Sequence, residues 1–270
     1  MARLTLSIDH IGILAPSIEE LVLEMQLLGF SIVGPAELTA VNESGETVGL
    51  GQRSAHVMFA DDYIELTTVD LPADGHHLEH FLHPPWGIRL LLLASDNVQR
   101  THEQCTQRQL QPGAVQQASR RIDYGQGGEA GFRWFGLPAY DWPDALVAYV
   151  EHLTRERVFN ASVSKHPNGA CCLTRLYYGG ADLPNRYRKL DGEGSQCIEI
   201  VEPGCEEETL GFPPERTTPF AGVGVGVADL DATAAVLEAA NIDVRPTGHG
   251  LGTRLRCGVC VVFEPTTASR

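Results

Sequence analysis

A histidine lies inside an apolar strand near the start of the chain. In "LSIDHIGIL" (6–14), the alternation of side chains places His10 on the strand face that carries Leu6 and Ile8. Burying a polar group costs free energy unless it has a hydrogen-bond partner. His10 is therefore either a hydrogen-bonded core group or a group that points at a ligand, and a neutral imidazole is a common metal ligand.

A carboxylate has a comparable position in "YIELT" (63–67). Glu65 shares a strand face with Tyr63 and Thr67. An ionised carboxylate is costly to bury unless it meets a cation or several hydrogen-bond donors. We therefore expect Glu65 either to line a site with such a partner or to face water at a strand edge.

The composition is that of a soluble globular protein, and the charge excludes two classes of partner. The chain has 270 residues, of which 43% are hydrophobic and 20% are charged. A net charge of −15 argues against binding to nucleic acid or an anionic membrane, since both need basic patches. Seven cysteines, an odd number spread along the chain, suit a reducing cytoplasm. We expect no targeting segment and no membrane span, because the longest aliphatic run covers only residues 90–93.

A weak internal repeat organises the chain. The first unit reads as a strand (4–14), a helix (17–28) capped by Ser17 and ended by Gly29, and three strands (30–34, 54–60 and 62–69). The same βαβββ order returns three times, over 87–110 with 144–153, over 173–190 with 197–203, and over 220–244 with 258–265. Asp96 is the predicted cap of the second helix. The sequence thus predicts four modules, of which the third is shortened.

Tandem βαβββ modules with histidine on the first strand and glutamate on the last resemble the glyoxalase/vicinal-oxygen-chelate superfamily. The opening "DHIGILAPSIEELVLEMQLLGF" is similar to its first module, and "EHLTRERVFNASVSKHPNGA" (151–170) is similar to a segment of its glyoxalase-like domain subgroup. The resemblance implies an α+β fold of four modules, the third degenerate, in paired half-open barrels. We expect residues 1–160 to form the first module pair, a glyoxalase-like domain that carries the site, and 161–270 to form a second, shorter pair.

The resemblance also implies metal ligands at the first-strand and last-strand positions of paired modules. These positions are His10 and Glu65 in module 1, and Arg89 and Glu151 in module 2, where His152 follows Glu151. Arg89 departs from the pattern because a guanidinium has no lone pair to offer. One histidine with two carboxylates favours Mn²⁺, Mg²⁺, Fe²⁺ or Ni²⁺ over a thiolate-type Zn²⁺ site. If a bulge brought in His152, the set would be closer to the two-histidine, one-carboxylate arrangement of Fe(II) enzymes.

The remaining candidate positions are expected to be structural or to form a wall of the cavity. They are Arg175 and Glu199 in module 3, and Gly222 with a weak match near Phe263 in module 4. Two short motifs are discounted as metal sites. The pattern H-x-x-E-H in "HHLEH" (76–80) is expected to form a short connecting helix, or else to carry histidines that reach over the site from a lid. The two cysteines of "CGVC" (257–260) would face opposite sides of a strand.

The resemblance favours a small-molecule enzyme of the glyoxalase type, a lyase or an isomerase, in which a divalent metal ion polarises vicinal oxygens of the substrate. Glu65 or Glu151 would serve as the general base, and Arg89 would hold an anionic group. The alternative is a metal-free small-molecule binding protein, in which Arg89 replaces the metal and pairs with a glutamate. An Fe(II) ring-cleaving dioxygenase is less favoured, because the second first-strand histidine is missing. The expected partner is a small-molecule substrate, and a homodimer is left open.

Overall fold

Two β-sheets built from successive parts of the chain make up the α+β fold. The computed structural model describes residues 7–41, 47–70, 72, 76–191, 197–213 and 219–266. The start of the strand predicted over 4–14 lies outside these residues. No helix within these ranges is long and apolar enough to cross a membrane.

The first module has the predicted order of elements. These are β1 (Ile8–Leu14), α1 (Ile18–Leu27), β2 (Val33–Val41), β3 (Thr47–Met58) and β4 (Tyr63–Val69). The Ser17 hydroxyl accepts a hydrogen bond from the backbone N–H of Glu20 at 3.2 Å, which caps the first turn of α1. Gly29 follows the helix with φ of 83°, a left-handed conformation that glycine adopts without strain. Both predicted helix signals are confirmed.

The second module repeats this order. Its elements are β5 (Gly87–Ala94), α2 (Val98–Gln107), β6 (Gln116–Ile122), β7 (Gly128–Gly136) and β8 (Leu146–His152). The predicted cap of α2 is wrong by one residue. Asn97, not Asp96, is the N-cap, and its side-chain oxygen accepts the N–H of Arg100 at 2.9 Å. The connection between the modules contains one short 3-10 helix, Glu79–Phe81.

The first sheet has the strand order β2-β3-β4-β1-β5-β8-β7-β6 and is nearly closed, because its edge strands β2 and β6 approach each other. Its outer face packs Ile11, Ile13 and Val147 into the main core. Its opposite face, here called the inner face, carries a smaller apolar cluster that includes residues from the connection. This cluster contains Leu14, Leu78, Phe81, Leu90, Leu92, Leu146, Ala148 and Val150.

The second sheet has the order β10-β9-β11-β14-β13-β12. After the short α3 (Arg155–Val158), the chain forms β9 (Ala170–Gly179), α4 (Asn185–Asp191), β10 (Ile198–Val201), α5 (Glu206–Leu210), β11 (Phe220–Val227), α6 (Leu230–Ala239), β12 (Arg245–Pro246), β13 (Leu251–Arg254) and β14 (Cys260–Pro265). The parallel pairs β9·β10 and β11·β14 match β5·β8 and β1·β4 of the first sheet. The third module keeps only its first and last strands among the described residues, which is the expected degeneracy.

The two sheets contribute to one hydrophobic core. Phe30, which follows α1, stacks on Phe263 of β14 with ring centroids 5.9 Å apart. A polar contact also joins the sheets, because Asp62 Oδ1 in the turn between β3 and β4 accepts the N–H of Leu173 in β9 at 2.9 Å. Burial raises the pKa of Asp62 from 3.8 to about 7.

This contact predicts a pH dependence of stability. In the folded protein Asp62 holds its proton up to about pH 7, whereas in the unfolded chain it releases the proton near its ordinary value of 3.8. The resulting stabilisation is therefore complete below the ordinary pKa and is lost as the pH rises through the folded pKa. The quantity to compare is the free energy of unfolding of wild type minus that of Asp62→Asn. Between pH 3.8 and about pH 7, this difference should fall as the pH rises, by at most about 1.4 kcal/mol per pH unit.

Urea unfolding of both proteins across this pH window measures the difference. Asp61→Asn, a change at the exposed neighbouring residue that pairs with Arg155, is the matched control and should keep most of the wild-type pH dependence, because burial is the main cause of the Asp62 shift. A constant difference between wild type and Asp62→Asn at every pH would contradict the expectation.

Candidate functional site

A bulge in β1 brings Asp9 and His10 together. The pairing of β1 with β5 shifts register between Ile8 and His10, so strict alternation of side chains fails at this point. Asp9 is 1% exposed, and its Oδ1 lies 2.7 Å from Nδ1 of His10, which is 5% exposed. The histidine that the sequence singled out is therefore buried and bonded to a carboxylate that the sequence analysis did not consider.

The same carboxylate also reaches the last strand of the second module. His152 Nε2 lies 3.0 Å from Oδ2 and 3.2 Å from Oδ1 of Asp9. Burial disfavours ionisation of Asp9, but the hydrogen bonds from His10 and His152 outweigh it and hold the pKa of Asp9 well below its ordinary value. Asp9 is thus an ionised buried group that joins β1 to β8.

Glu65 lies on the inner face of β4, next to this pair. Its Oε1 accepts hydrogen bonds from Ser54 Oγ at 2.7 Å, Thr67 Oγ1 at 2.7 Å and Gln52 Nε2 at 3.1 Å. Its Oε2 lies 3.6 Å from His10 Nε2. Burial disfavours the charge, but His10 and the hydroxyl donors lower the pKa of Glu65 below its ordinary value. The expectation that Glu65 needs several donors to be buried is met.

Tyr63 covers one face of the His10 ring. The two rings stack with centroids 4.1 Å apart and planes 16° apart, and the Tyr63 hydroxyl lies 3.4 Å from His10 Nε2. Burial raises the pKa of Tyr63 well above its ordinary value, so the phenol remains a hydrogen-bond donor.

Arg120 extends from the edge strand β6 toward β3 and lies against the same tyrosine. Its Nη1 donates to Nε2 of His56 at 2.5 Å, and its Cζ lies 5.7 Å from the centre of the Tyr63 ring. Burial, followed by the charge of Arg120, lowers the pKa of His56 well below its ordinary value. The His56 ring is therefore neutral and can accept this hydrogen bond.

The side chains of Glu151 and His152 lie on the opposite faces of β8 from those that strand alternation predicted. Glu151 lies on the outer side of β8, where its Oε2 accepts the N–H of Val98 at the start of α2 at 2.9 Å. A carboxylate in this position satisfies a free backbone donor and complements the helix dipole. The structure therefore does not bring Glu151 to His10 and Glu65, and it brings His152 to the inner face instead.

Arg89 does not pair with a glutamate either. Its Nη1 donates to the carbonyl of Asp144 at 3.1 Å, and its Nη2 donates to the carbonyl of Pro85 at 2.9 Å. Burial lowers the pKa of Arg89 below its ordinary value. The expected ion pair of Arg89 with Glu65 or Glu151 is not formed, because backbone carbonyls occupy its guanidinium.

The strand register also corrects which residues of module 2 correspond to His10 and Glu65. Aligning the helix caps Ser17 and Asn97 matches His10 with Leu90, one residue after Arg89. Gly12 is the register partner of Glu65, and its counterpart Leu92 is the register partner of Ala148. The positions of module 2 that correspond to His10 and Glu65 are therefore occupied by Leu90 and Ala148, which have no polar side-chain atoms.

The donor set does not fit the expected divalent metal ion. Within the described ranges, no group of three or more His, Cys, Asp or Glu side chains is arranged to hold a metal ion. His10 Nε2 and Glu65 Oε2 are of ligand type, but Leu90 and Ala148 supply no further donors. Catalytic metal sites commonly use three protein ligands, so we derive no step through a metal ion.

The candidates in the second sheet form a separate charged cluster. Arg175 pairs with Glu199 through Nη1 and with Glu264 through Nη2, the latter at 3.0 Å. The Tyr177 hydroxyl donates to Glu264 at 2.7 Å, and His249 lies 2.8 Å from Glu199. The positive charge of Arg175 is thereby matched within the protein.

Gly224 of β11 leaves room for this cluster. A Cβ atom at Gly224 would lie 2.3 Å from both Glu264 Oε1 and Thr174 Oγ1. Glycine at this position therefore gives these side chains room to lie across the strand.

Asp9, His56 and Arg120 belong to the site but were missed by the sequence analysis. The adjacent acidic and imidazole residues in "IDHI" were the only signal for Asp9, and alternation assigned them to opposite faces. Arg120 lies in "QQASRRI", a polar strand with no apolar alternation to show which arginine faces inward. Neither assignment can be made without the bulge and the strand pairing.

The chain belongs to the glyoxalase-like domain family, whose model matches residues 8–191. No curated protein matches the sequence. The fold is similar to that of a hypothetical protein from Staphylococcus aureus, with 9% identity, a TM-score of 0.64, and coverage of 97% of this chain and 100% of that chain.

Two further solved structures share the fold at low identity. A xylose isomerase-like TIM barrel/4-hydroxyphenylpyruvate dioxygenase fusion protein has 13% identity and a TM-score of 0.59, covering 100% of this chain and 50% of that chain. A mutant of 4-hydroxymandelate synthase from Streptomyces coelicolor has 10% identity and a TM-score of 0.56, covering 98% and 94%. These similarities support the α+β fold of the glyoxalase/vicinal-oxygen-chelate superfamily.

The position of Glu151 predicts a structural effect of its removal. Glu151→Ala should lower the free energy of unfolding by about 1 kcal/mol, because the N–H of Val98 loses its acceptor and α2 loses a favourable charge. Urea unfolding measures this loss. Glu103→Ala, which removes an exposed carboxylate from the same helix, is the control and should change stability less. Equal effects of the two changes would contradict the capping role.

Proposed function

We propose that the protein is a small-molecule enzyme that moves a proton at a substrate carbon, as an isomerase or a lyase does. The observation that carries this proposal is the position of His10 between two carboxylates. Asp9 Oδ1 lies 2.7 Å from Nδ1, and Glu65 Oε2 lies 3.6 Å from Nε2. A histidine fixed by a buried carboxylate on one ring nitrogen is the usual arrangement of a general base.

His10 is the base in this proposal. Because Asp9 Oδ1 is bonded to Nδ1, Nε2 is the ring nitrogen left to take up and release a proton. Nε2 would take a proton from a carbon beside a substrate carbonyl and return it to the same or a neighbouring carbon. The charges of Asp9 and Glu65 stabilise the imidazolium that forms.

Glu65 acts through its charge and not as the base that the sequence analysis expected. Three donors occupy its Oε1, and its pKa lies below the ordinary value because His10 and the hydroxyls outweigh burial. A carboxylate with a lowered pKa is a weak proton acceptor. The Tyr63 hydroxyl, which burial keeps protonated, would donate a hydrogen bond to a substrate oxygen.

A metal-free binding protein is the second candidate. It is favoured by three buried polar atoms at the site that have no hydrogen-bond partner among the described residues, Arg120 Nη2, His152 Nδ1 and Gln52 Oε1. Buried polar atoms normally have partners, and a bound molecule would supply them without any reaction.

Proton exchange with solvent distinguishes the two candidates. The protein is incubated in D₂O with a panel of small oxo acids and hydroxyketones, and deuterium uptake at carbon is followed by NMR. The rate should fall by at least about 100-fold in His10→Gln and should also fall in Asp9→Asn, which no longer fixes the ring. His80→Ala, a change of an exposed histidine, is the control and should exchange like wild type. Full exchange by His10→Gln would contradict the proposal, and binding without exchange would favour the second candidate.

The donor set predicts that no divalent ion binds stoichiometrically at His10 and Glu65. After dialysis against a chelator and incubation with Mn²⁺, Ni²⁺ or Zn²⁺, wild type and His10→Ala should retain equal amounts of metal, because Leu90 and Ala148 offer no ligand. Elemental analysis makes the measurement. An equimolar ion held by wild type and lost in His10→Ala would contradict this expectation and support the metal-dependent form of the enzyme.

A further inference from the structure

Arg120 carries a positive charge on the inner face, and the charge of Glu65 balances it only from beyond ion-pair distance. Among the described residues, no carboxylate forms an ion pair with it, and its contacts are the neutral His56 ring and the face of Tyr63. Its Nη2 is buried and has no hydrogen-bond partner there. An unpaired buried donor on a charged group costs more free energy than a neutral one.

Two other half-buried arginines of the described chain are arranged differently. Arg175 pairs with Glu199 and Glu264, and Arg186 pairs with Asp144. Arg89, which also lacks a carboxylate partner, donates from both terminal nitrogens to backbone carbonyls, whereas Arg120 Nη2 has no acceptor among the described residues. The guanidinium on β6 therefore has a donor that is free to meet a negatively charged group.

We propose that Arg120 binds the carboxylate group of the substrate, which makes the substrate class a small organic acid. This inference rests on the proposed function, because it assigns the substrate of the same site. A planar carboxylate matches the fork of the guanidinium and would give Nη2 its missing acceptor.

The Arg120 guanidinium lies near His10, the proposed base. Arg120 and His10 contact the same Tyr63 ring, which stacks on His10 at 4.1 Å and lies 5.7 Å from Arg120 Cζ. Arg120 and the proposed base therefore lie on either side of one side chain, so that a carboxylate held by Arg120 is close to Tyr63. Alternation along β6 places Ile122 on the same side as Arg120, where it packs in one cluster with Tyr63.

Calorimetric titration with oxalate tests the assignment, with neutral oxamide and inorganic phosphate as comparison ligands. Wild type should bind oxalate more tightly than phosphate and should not bind oxamide. Arg120→Gln should raise the Kd for oxalate at least about tenfold, and Arg120→Lys should restore part of the affinity because it keeps the charge without the fork. Arg121→Gln removes the same charge from the adjacent, exposed position and should bind oxalate like wild type.

Unchanged oxalate binding by a folded Arg120→Gln protein would overturn the assignment, and so would equal losses of oxalate affinity in Arg120→Gln and Arg121→Gln. Tighter binding of phosphate than of oxalate by wild type, or no oxalate binding by wild type, would overturn it as well. The exchange experiment separates this result from the proposed function. If His10→Gln loses proton exchange while Arg120→Gln still binds oxalate, only the assignment of Arg120 fails. If Arg120→Gln loses oxalate binding while His10→Gln still exchanges, the carboxylate site stands and the role of His10 fails.

Discussion

The buried carboxylate of Asp9 is the group on which the arrangement of the site depends. A charge that is 1% exposed is tolerated only when it is paired and hydrogen-bonded. Asp9 meets this condition by contacting His10 on its own strand and His152 at the end of β8. The contact fixes the orientation of the His10 ring, and it also ties the first module to the second. The bulge at Ile8–His10 is the local distortion that makes it possible.

The two modules of the first sheet have the same fold, but the residues at their corresponding inner-face positions differ in polarity. The half from module 1 presents His10, Glu65 and the hydroxyls around Glu65. The half from module 2 presents Leu90 and Ala148, which belong to an apolar cluster shared with Leu78 and Phe81 of the connecting segment. Module 2 contributes its polar groups to the site from other positions, His152 at the end of β8 and Arg120 on β6, beside this apolar wall.

In the second sheet, which has the same topology, the charged side chains of the cluster around Arg175 pair with one another. Arg175 is neutralised by Glu199 and Glu264, and Gly224 allows these side chains to pack across the strand. In the first sheet, Arg120 has no such partner among the described residues. Arg175 therefore belongs to an ion-pair network within the protein, whereas Arg120 has a free donor that a bound ligand would complete.

The sequence by itself determined the order of elements, the repeated modules and the Ser17 cap, because these depend on local patterns of side-chain alternation and capping. It singled out His10, Glu65 and His152, which the structure places on the inner face, and Glu151 and Arg89, which the structure places elsewhere, because a bulge or a one-residue offset decides which face a side chain occupies. The tertiary structure alone decided that Asp9 joins His10 and that Arg120 faces inward. Both depend on contacts between strands far apart in the chain, which no local pattern records.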